Sequence, residues 1–386
     1  GLLLIIILVL VGIVVQFELI PPNFSNETVP VPVEVAELDN VITLSADEPF
    51  KFTFEYNRDF TIGESKQTTI GHIAGFTVDE YGMVYLADRG QSKIHVFDEQ
   101  GTLVTSVGRK GRGPGEFITV GWPQTNRSHL YAADLPLSRI QAFSKKDFSH
   151  DFTINVEPGS KVADLRRAQP GGFYLLENND YIVAYDDNIN PMTPEIPLQR
   201  YLYRVNNKGA IVSDQILKGD LFKFLGSIGS GLFPNPFTRQ DIMKVGQSGL
   251  IYSANIDHFL IKIHDSDGTY ERAIFVPLPK VRLDLDRFLE KFDNRSKRQM
   301  IRNAEVPETH SAIKTLVVDD EHRIWVAAVV EDLSVYQWWV ISNSGELISK
   351  FTLPREKKIR LVKNGAFYTN EEQQQTGAEH VVKYKF

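Results

Sequence analysis

Short runs of alternating apolar and polar residues fill most of the chain from about residue 41 to its end. The runs are rich in β-branched and aromatic residues, and Gly, Asn and Asp separate them. This pattern is typical of β-strands joined by tight turns. Two stretches differ, namely an apolar run at residues 1–15 and a segment of helical period at residues 282–305. The pattern predicts an all-β domain with one helical insertion, preceded by a hydrophobic segment.

One motif recurs six times among the predicted strands: apolar residues, an aromatic residue, small residues and, in most copies, Asp or Asn. The copies are GMVYLAD (82–88), SHLYAAD (128–134), GFYLLEN (172–178), GLIYSAN (249–255), HRIWVAA (322–328) and GAFYTN (365–370). Their aromatic residues are Tyr85, Tyr131, Tyr174, Tyr252, Trp325 and Tyr368. The spacings of 46, 43, 78, 73 and 43 residues fit a four-stranded unit, twice with an insertion. Six such units predict a six-bladed β-propeller over residues 41–386.

The sixth unit shows only three predicted strands, of which VVKYKF (381–386) is the last. The segment PFKFTFEYN (49–57) alternates like a strand and belongs to no unit. We expect this N-terminal strand to close the last blade as its outer strand, because an unpaired sheet edge would otherwise be left open.

The segment FTVDEYGMVYLADRGQSKIHVFDEQGTLVTSVGRKGRGPGEF (76–117) resembles an NHL repeat. Residues 42–386 as a whole resemble bacterial six-bladed β-propeller proteins of NHL type. Blades one and two match well, whereas blades three and five depart from the pattern by insertion, and blade five lacks the Asp or Asn after its aromatic residue. The resemblance implies the fold. It leaves the function open, because this family contains binding and scaffold modules as well as a few enzymes.

The run GLLLIIILVLVGIVV (1–15) contains no polar side chain. As a helix it would span roughly 22 Å, somewhat less than the ~30 Å of a bilayer core, and Phe17, Leu19 and Ile20 extend its apolar character. No small-x-small cleavage site follows. We therefore expect a membrane anchor helix at residues 1–20, with a cleaved signal or a buried strand as alternatives. Four prolines predict a stiff, Pro-rich linker over residues 21–40.

Composition narrows the function classes. The net charge of −7 argues against nucleic-acid binding, which depends on Lys and Arg neutralising phosphates. The chain has no cysteine, which excludes disulfides, thiolate metal sites and Cys nucleophiles and suits an oxidising compartment.

The glycine-rich loop GRKGRGPGEF (108–117) has the basic residues Arg109, Lys110 and Arg112. It lacks the Lys-Ser/Thr pair of a P-loop, and no amphipathic helix follows it. We interpret it as the connection between blades one and two, with a basic rim for an acidic partner as the alternative.

The polar residues that end five copies of the motif could form a ring near the axis. These residues are Asp88, Asp134, Asn178, Asn255 and Asn370. Propellers of lactonase type bind a metal there with Glu, Asn and Asp, so a calcium-dependent hydrolase is an alternative function. We favour a structural role, in which each short side chain caps the following turn, and we therefore expect no cofactor.

Three insertions interrupt the repeat, at about residues 186–203, 218–237 and 282–305. The second is unusually apolar for a connection, and the third predicts one amphipathic helix with Asp284 as its N-cap. Long loops with apolar side chains often mark interaction sites. The candidate partner-binding residues are Phe222, Phe224, Leu232, Phe233, Phe237, Phe288, Phe292 and Arg298.

The leading hypothesis is a non-catalytic, membrane-anchored propeller in the periplasm or another extracytoplasmic space. It would act as a scaffold or accessory subunit that binds other proteins of a membrane complex. The rival functions are the metal-dependent hydrolase at the tunnel and a receptor for a glycan or peptide.

Overall fold

The computed structural model describes residues 29–63, 70–157, 159, 162–227, 229, 231–246, 248–373 and 376–386. Six sheets hold most of these residues. Within each sheet the consecutive strands are antiparallel and follow chain order, and an N-terminal strand is added at the outer edge of two of the sheets. The first strands of neighbouring sheets contact each other, so they are the innermost strands and surround a central axis. This is the six-bladed β-propeller that the repeat predicts.

The strands and helices occur in the following order. The helical turn α1 (Val33–Ala36) and strands β1 (Val41–Thr43) and β2 (Asn57–Ile62) precede blade one. Blade one contains β3 (Ile73–Val78), β4 (Val84–Asp88), β5 (Lys93–Phe97) and β6 (Leu103–Val107). The next connection contains the short pair β7 (Arg109–Lys110) and β8 (Glu116–Phe117). Blade two contains β9 (Val120–Thr125), β10 (His129–Asp134), β11 (Arg139–Ser144) and β12 (His150–Asn155).

Blade three contains β13 (Ala168–Leu175), β14 (Tyr181–Asp187), β15 (Gln199–Val205) and β16 (Leu217–Asp220). A hairpin of β17 (Phe224–Ser227) and β18 (Gly231–Pro234) follows. Blade four contains β19 (Asp241–Val245), β20 (Ile251–Asn255), β21 (Phe259–His264) and β22 (Tyr270–Val276). Helices α2 (Leu285–Leu289) and α3 (Arg295–Arg302) come next. Blade five contains β23 (Ile313–Val318), β24 (Ile324–Val329), β25 (Val335–Ile341) and β26 (Leu347–Pro354). Blade six contains β27 (Lys358–Lys363), β28 (Ala366–Glu372) and β29 (Glu379–Lys385).

The hydrophobic core lies between the blades. One cluster joins Tyr85 and Ile94 of blade one to Leu130 and Phe143 of blade two. Both faces of each sheet are therefore covered, which is why every residue of β4 is buried. A strand buried on both faces reads as a nearly continuous apolar run, which explains the motif GMVYLAD.

An N-terminal strand closes the last blade, as predicted, but that strand is β2 rather than residues 49–57. Strand β2 pairs antiparallel with β29, so the N-terminal chain supplies the outer strand of blade six. The predicted segment 49–57 contributes only Asn57 to that strand. Its aromatic residues pack instead between blades five and six, where Phe54 lies 5.2 Å from Trp325 and 4.5 Å from Phe386, ring centre to ring centre. An extended segment that buries every second aromatic residue alternates in the same way as a paired strand. The sequence pattern therefore could not distinguish the two.

The segment before β2 also lies against the propeller. Strand β1 pairs parallel with β22 as a fifth strand of blade four. Val35 of α1 is buried against Leu260 and Phe275, and Glu34 pairs with Lys262 at 2.6 Å. The part of the predicted linker that is described, residues 29–40, thus contains a helical turn packed on blade four. The predicted anchor at residues 1–20 lies outside the described residues, among which no helix has the length and apolar character needed to cross a bilayer.

Blade three corrects one copy of the repeat. The copy GFYLLEN places Tyr174 on β13, the innermost strand, whereas the aromatic residues of the other five copies lie on second strands. The second strand is β14, and Asn178 lies in the turn between them. The polar residues of that turn resemble the Asp or Asn that ends a second strand, which shifted the predicted alignment by one strand.

The three insertions are more ordered than loops. The first is shortened by β14 and β15 to residues 188–198. The second begins with β16, the outer strand of blade three, and continues as the β17–β18 hairpin. The third forms two helices rather than the single predicted helix. The second helix, α3, has its own N-cap at Asn294, whose side chain accepts from Lys297 N. The predicted N-cap Asp284 is confirmed and accepts from Arg287 N.

Candidate functional site: the insertion cap and the central channel

All three insertions lie on the same face of the propeller. In a blade of four antiparallel strands, the connection after the second strand and the connection after the fourth strand leave from the same edge. Residues 188–198 follow a second strand, whereas the hairpin and the helices follow fourth strands. We call this side the insertion face.

The hairpin and the helices pack against each other through aromatic side chains. The ring centres of Phe233 and Phe292 are 5.9 Å apart, and those of Phe237 and Phe288 are 5.1 Å apart. The helices are anchored below by Leu289 and Ile301, which are both buried. We call the β17–β18 hairpin together with α2 and α3 the cap.

The loop at residues 188–198 joins the cap through backbone hydrogen bonds. Phe224 N donates to Pro194 O at 2.7 Å, and Leu198 N donates to Phe222 O at 3.1 Å. The three insertions therefore form one continuous surface feature, although about a hundred residues separate the first from the last in the chain.

The structure brings the candidate partner-binding residues together in and beside the cap and leaves most of them incompletely buried. Among the eight, Phe224 alone is buried, and the others are half-buried. Arg298 donates through Nε to the carbonyl oxygen of Phe292. Lys297 lies over the ring of Phe233 at 5.1 Å. The cap is thus an incompletely covered aromatic cluster edged by cations, and aromatic and Arg side chains are the types enriched at binding hot spots.

The glycine-rich loop joins blades one and two, as the sequence predicts, and folds around Glu116. The Glu116 carboxylate accepts from Arg109 Nε at 2.8 Å and from Gly113 N at 2.9 Å. Arg139 of blade two donates to the carbonyl oxygens of Arg112 and Glu116. The N–H of Gly113 is therefore used within the loop, and the N–H of Gly115 donates to Gln141 of blade two at 2.8 Å. The side chains of Arg109, Lys110 and Arg112 remain exposed.

The polar residues of the motif accept from backbone N–H groups where the structure shows their partners. The carboxylate of Asp88 accepts from Gly71 N, His72 N and Gln91 N, which lowers its pKa although burial opposes this shift. Asp134 accepts from Ile118 N and Thr119 N, which precede the first strand of its blade and do not belong to the following turn that was predicted. Asn255 accepts from Asp257 N of the following turn. Within the part of the chain that is described, no group of three or more His, Asp or Glu side chains is arranged to hold a metal ion.

Sequence reasoning missed the walls of the central channel. The six innermost strands carry six charged residues, five of them basic: Lys244, Lys314, Lys358, Arg360 and Lys363, against Asp241. All six belong to blades four to six, so one half of the wall is charged and the other half is neutral. The six copies of the motif do not include these residues, and only the assembled ring brings the innermost strands of blades four to six together.

Comparison with known proteins supports the fold. A family model described as a 6-bladed beta-propeller, DUF5128, matches residues 65–219. A protein from Bacteroides fragilis NCTC 9343 that is described as exported has a similar structure, with a TM-score of 0.53 and 13% sequence identity over 90% of this chain and 99% of that chain. A member of the duf4221 family from Bacteroides vulgatus has a TM-score of 0.54 and 11% identity over 86% of this chain and 97% of that chain.

Comparison with curated proteins gives no match. A virginiamycin B lyase from Staphylococcus aureus covers 86% of this chain and all of its own, with 11% identity and a TM-score of 0.42, which is too low to carry a functional argument. At these identities the solved structures establish the propeller fold alone.

Proposed function

We propose that this propeller is a non-catalytic binding module that works outside the cytoplasm and receives another protein on its insertion face. The observation that carries the proposal is the cap. Its half-buried aromatic side chains belong to two separate insertions, which the third insertion joins through backbone hydrogen bonds on one face of an otherwise regular repeat. Apolar surface left uncovered on a rigid scaffold is typical of interaction sites.

The charge of the cap indicates the chemistry of the partner. Helix α3 carries Arg295, Lys297, Arg298 and Arg302 and no acidic residue. The segments 218–240 and 282–305 together carry ten basic and six acidic residues, in a chain whose net charge is −7. A partner surface with an apolar centre and an acidic rim would complement this face, since opposite potentials steer association and fix orientation.

Two features support a location outside the cytoplasm. The chain has no cysteine, and a structurally similar protein is described as exported. The hydrophobic segment at residues 1–20 would then anchor the propeller at a membrane. The partner would be a subunit of a membrane complex, and the propeller its accessory subunit.

Site-specific photo-crosslinking in the full chain tests the proposal. A photoreactive residue at Phe233 or Phe288 should crosslink to one protein, because both positions lie in the half-buried cluster of the cap. Tyr81 provides the matched control, since it is 65% exposed and follows a first strand, on the opposite face. Equal crosslinking from Tyr81 and from the cap, or no crosslinking from the cap, would contradict the proposal.

The charge of α3 provides a second arm of the same experiment. Arg295 and Lys297 are exposed, so Arg295→Glu with Lys297→Glu should leave the fold intact. The double substitution should remove most of the crosslink from Phe233, because it reverses the potential that the acidic rim recognises. An undiminished crosslink would show that charge does not select the partner.

A further inference from the structure

The central channel has a basic half and a neutral half. The basic half is formed by the innermost strands of blades four, five and six, β19, β23 and β27. Lys244, Lys314 and Arg360 lie on these three strands, one on each, and neighbouring innermost strands contact each other. The three cations therefore line adjacent parts of one wall.

Two of these cations occupy β-bulges. The pairing of β23 with β24 shifts between Ile313 and Thr315, which leaves Lys314 as the extra residue. The pairing of β27 with β28 shifts between Ile359 and Leu361, which leaves Arg360 as the extra residue. The innermost strands of blades one, two and three are irregular at the equivalent place, so the repeat turns a side chain out of the regular ladder there in most blades. Lys314 and Arg360 both keep solvent-exposed surface, and we infer that it faces the channel because both residues lie on innermost strands.

The cations are not neutralised within the described part of the chain. No hydrogen bond or ion pair to a carboxylate involves Lys244, Lys314 or Arg360 there, whereas Arg200, beside Lys244, is held by Asp186 at 2.6 Å. Burial, followed by the charges of Arg200 and Arg360, lowers the pKa of Lys244 to about 8. Burial also lowers the pKa of Lys314, with further contributions from the charges of Arg355, Arg360 and Lys358. Uncompensated like charges are unfavourable in a folded chain, so the arrangement suits an anionic ligand.

The neutral half presents an exposed indole. Trp122 lies on β9 at a bulge and is 39% exposed. Its φ of +46° is a left-handed conformation that is costly for a bulky residue and that is concentrated at ligand-binding positions. The indole Nε1 is 3.7 Å from where a Cβ of Gly172 would lie, and the Cα of Trp122 is 3.9 Å from the equivalent point at Gly75. Glycines on the innermost strands of both neighbouring blades therefore leave room for the ring.

We propose that the central channel binds a small organic anion, whose carboxylate or sulfate is held by Lys244, Lys314 and Arg360 and whose ring lies on the indole of Trp122. The ring of an acidic sugar and the ring of an aromatic acid share this chemistry, because both present a face that stacks on an indole. The site is separate from the cap and does not depend on the protein-binding function.

Trp122 supplies a fluorescence readout, because the other three tryptophans, Trp325, Trp338 and Trp339, are buried. Iodide should quench Trp122 strongly, since a basic wall concentrates anions. The double variant Lys314→Gln/Arg360→Gln should be quenched by iodide at least about twofold less, whereas quenching by neutral acrylamide should be unchanged. Lys110→Gln/Arg112→Gln is the control with the same change of charge and should behave as wild type. Equal iodide quenching in all three proteins would overturn the proposal.

Titration of the full chain with galacturonate, benzoate and sulfate identifies the ligand class. Saturable binding of galacturonate indicates the acidic sugar, and saturable binding of benzoate indicates the aromatic acid. Either should be at least about tenfold weaker in the double glutamine variant, since a charge-assisted contact contributes ~1.5–3 kcal/mol. Galactose and benzyl alcohol, which lack the carboxylate, should not bind.

Trp122→Gly tests the ring contact without endangering the fold, since glycine tolerates the left-handed backbone. It should weaken the organic anion and leave sulfate unaffected, with binding followed by calorimetry. Absence of saturable binding by both organic anions, or sulfate binding as tightly as either of them, would overturn the proposal.

Discussion

Asp79 and Asp319 show how single residues build this repeat. Each follows the innermost strand of its blade and accepts from two backbone N–H groups of the next turn. Each also fixes the aromatic residue of the second strand: Tyr85 donates to Asp79 at 3.0 Å, and Trp325 donates to Asp319 at 2.8 Å. In blades one and five, the aromatic residue that made the repeat visible in the sequence is therefore one half of a buried polar pair.

Lys244 provides a prediction at the same scale. Its pKa is lowered to about 8 by burial and by the charges of Arg200 and Arg360, while Asp186 compensates Arg200 alone. Lys244→Met should therefore raise the free energy of unfolding at pH 7 by about 2 kcal/mol, allowing for partial solvent screening.

The advantage of Lys244→Met should shrink as the pH rises from about 8 towards 10.5, the ordinary pKa of Lys. Over that range the unfolded wild type keeps a proton that its folded state has released, so raising the pH stabilises the wild type. Urea unfolding at pH 7 and pH 10 measures both quantities. A variant that is less stable than wild type at pH 7 would show that Lys244 supports the fold.

In four blades the turn between the third and fourth strands requires glycine. Gly101, Gly209, Gly268 and Gly345 occupy equivalent turns with φ between +81° and +89°. At Gly268 a Cβ would lie 2.1 Å from the carbonyl oxygen of Ile216, in the preceding blade. The turn is therefore fixed both by its own backbone and by the sheet of the preceding blade.

Gly268→Ala should destabilise the propeller much more than Gly365→Ala. Both glycines have left-handed φ, which costs ~1–2 kcal/mol for alanine, but a Cβ at Gly365 would meet no atom within 4 Å. Thermal unfolding of the two variants isolates the clash with the neighbouring blade. Equal losses of Tm would contradict the close packing between blades three and four.

Sequence patterns predicted the presence of strands well because the alternation of a strand is local. They predicted less well which position each strand takes in its blade. The first-strand position of Tyr174 was missed because the turn at Asn178 imitates the end of a second strand. The break between α2 and α3 was missed because the apolar period continues across it. Only the N-cap residue of α3, Asn294, marks the break in the sequence. The parallel pairing of β1 with β22 joins residues more than two hundred positions apart, and no local pattern reports such a contact.

At the scale of the whole molecule, an N-terminal strand closes the ring and the insertions make its two faces different. Strand β2 completes blade six, so β29 is paired on both sides and the last blade has four strands. The six blades are similar in their cores and differ in their connections, and the cap breaks the symmetry on one face only. The candidate partner-binding residues could be found from sequence because they interrupt a repeat. The channel could not, because its wall is assembled from single residues on separate blades.

The central claim is that the cap binds a protein partner, and native mass spectrometry of the full chain after gentle solubilisation tests it most directly. We expect a complex of defined stoichiometry well above the 43.8 kDa of the chain, and Arg295→Glu with Lys297→Glu should release the chain from it. A single 43.8 kDa species from the wild type, or a complex that the α3 variant leaves intact, would contradict the claim.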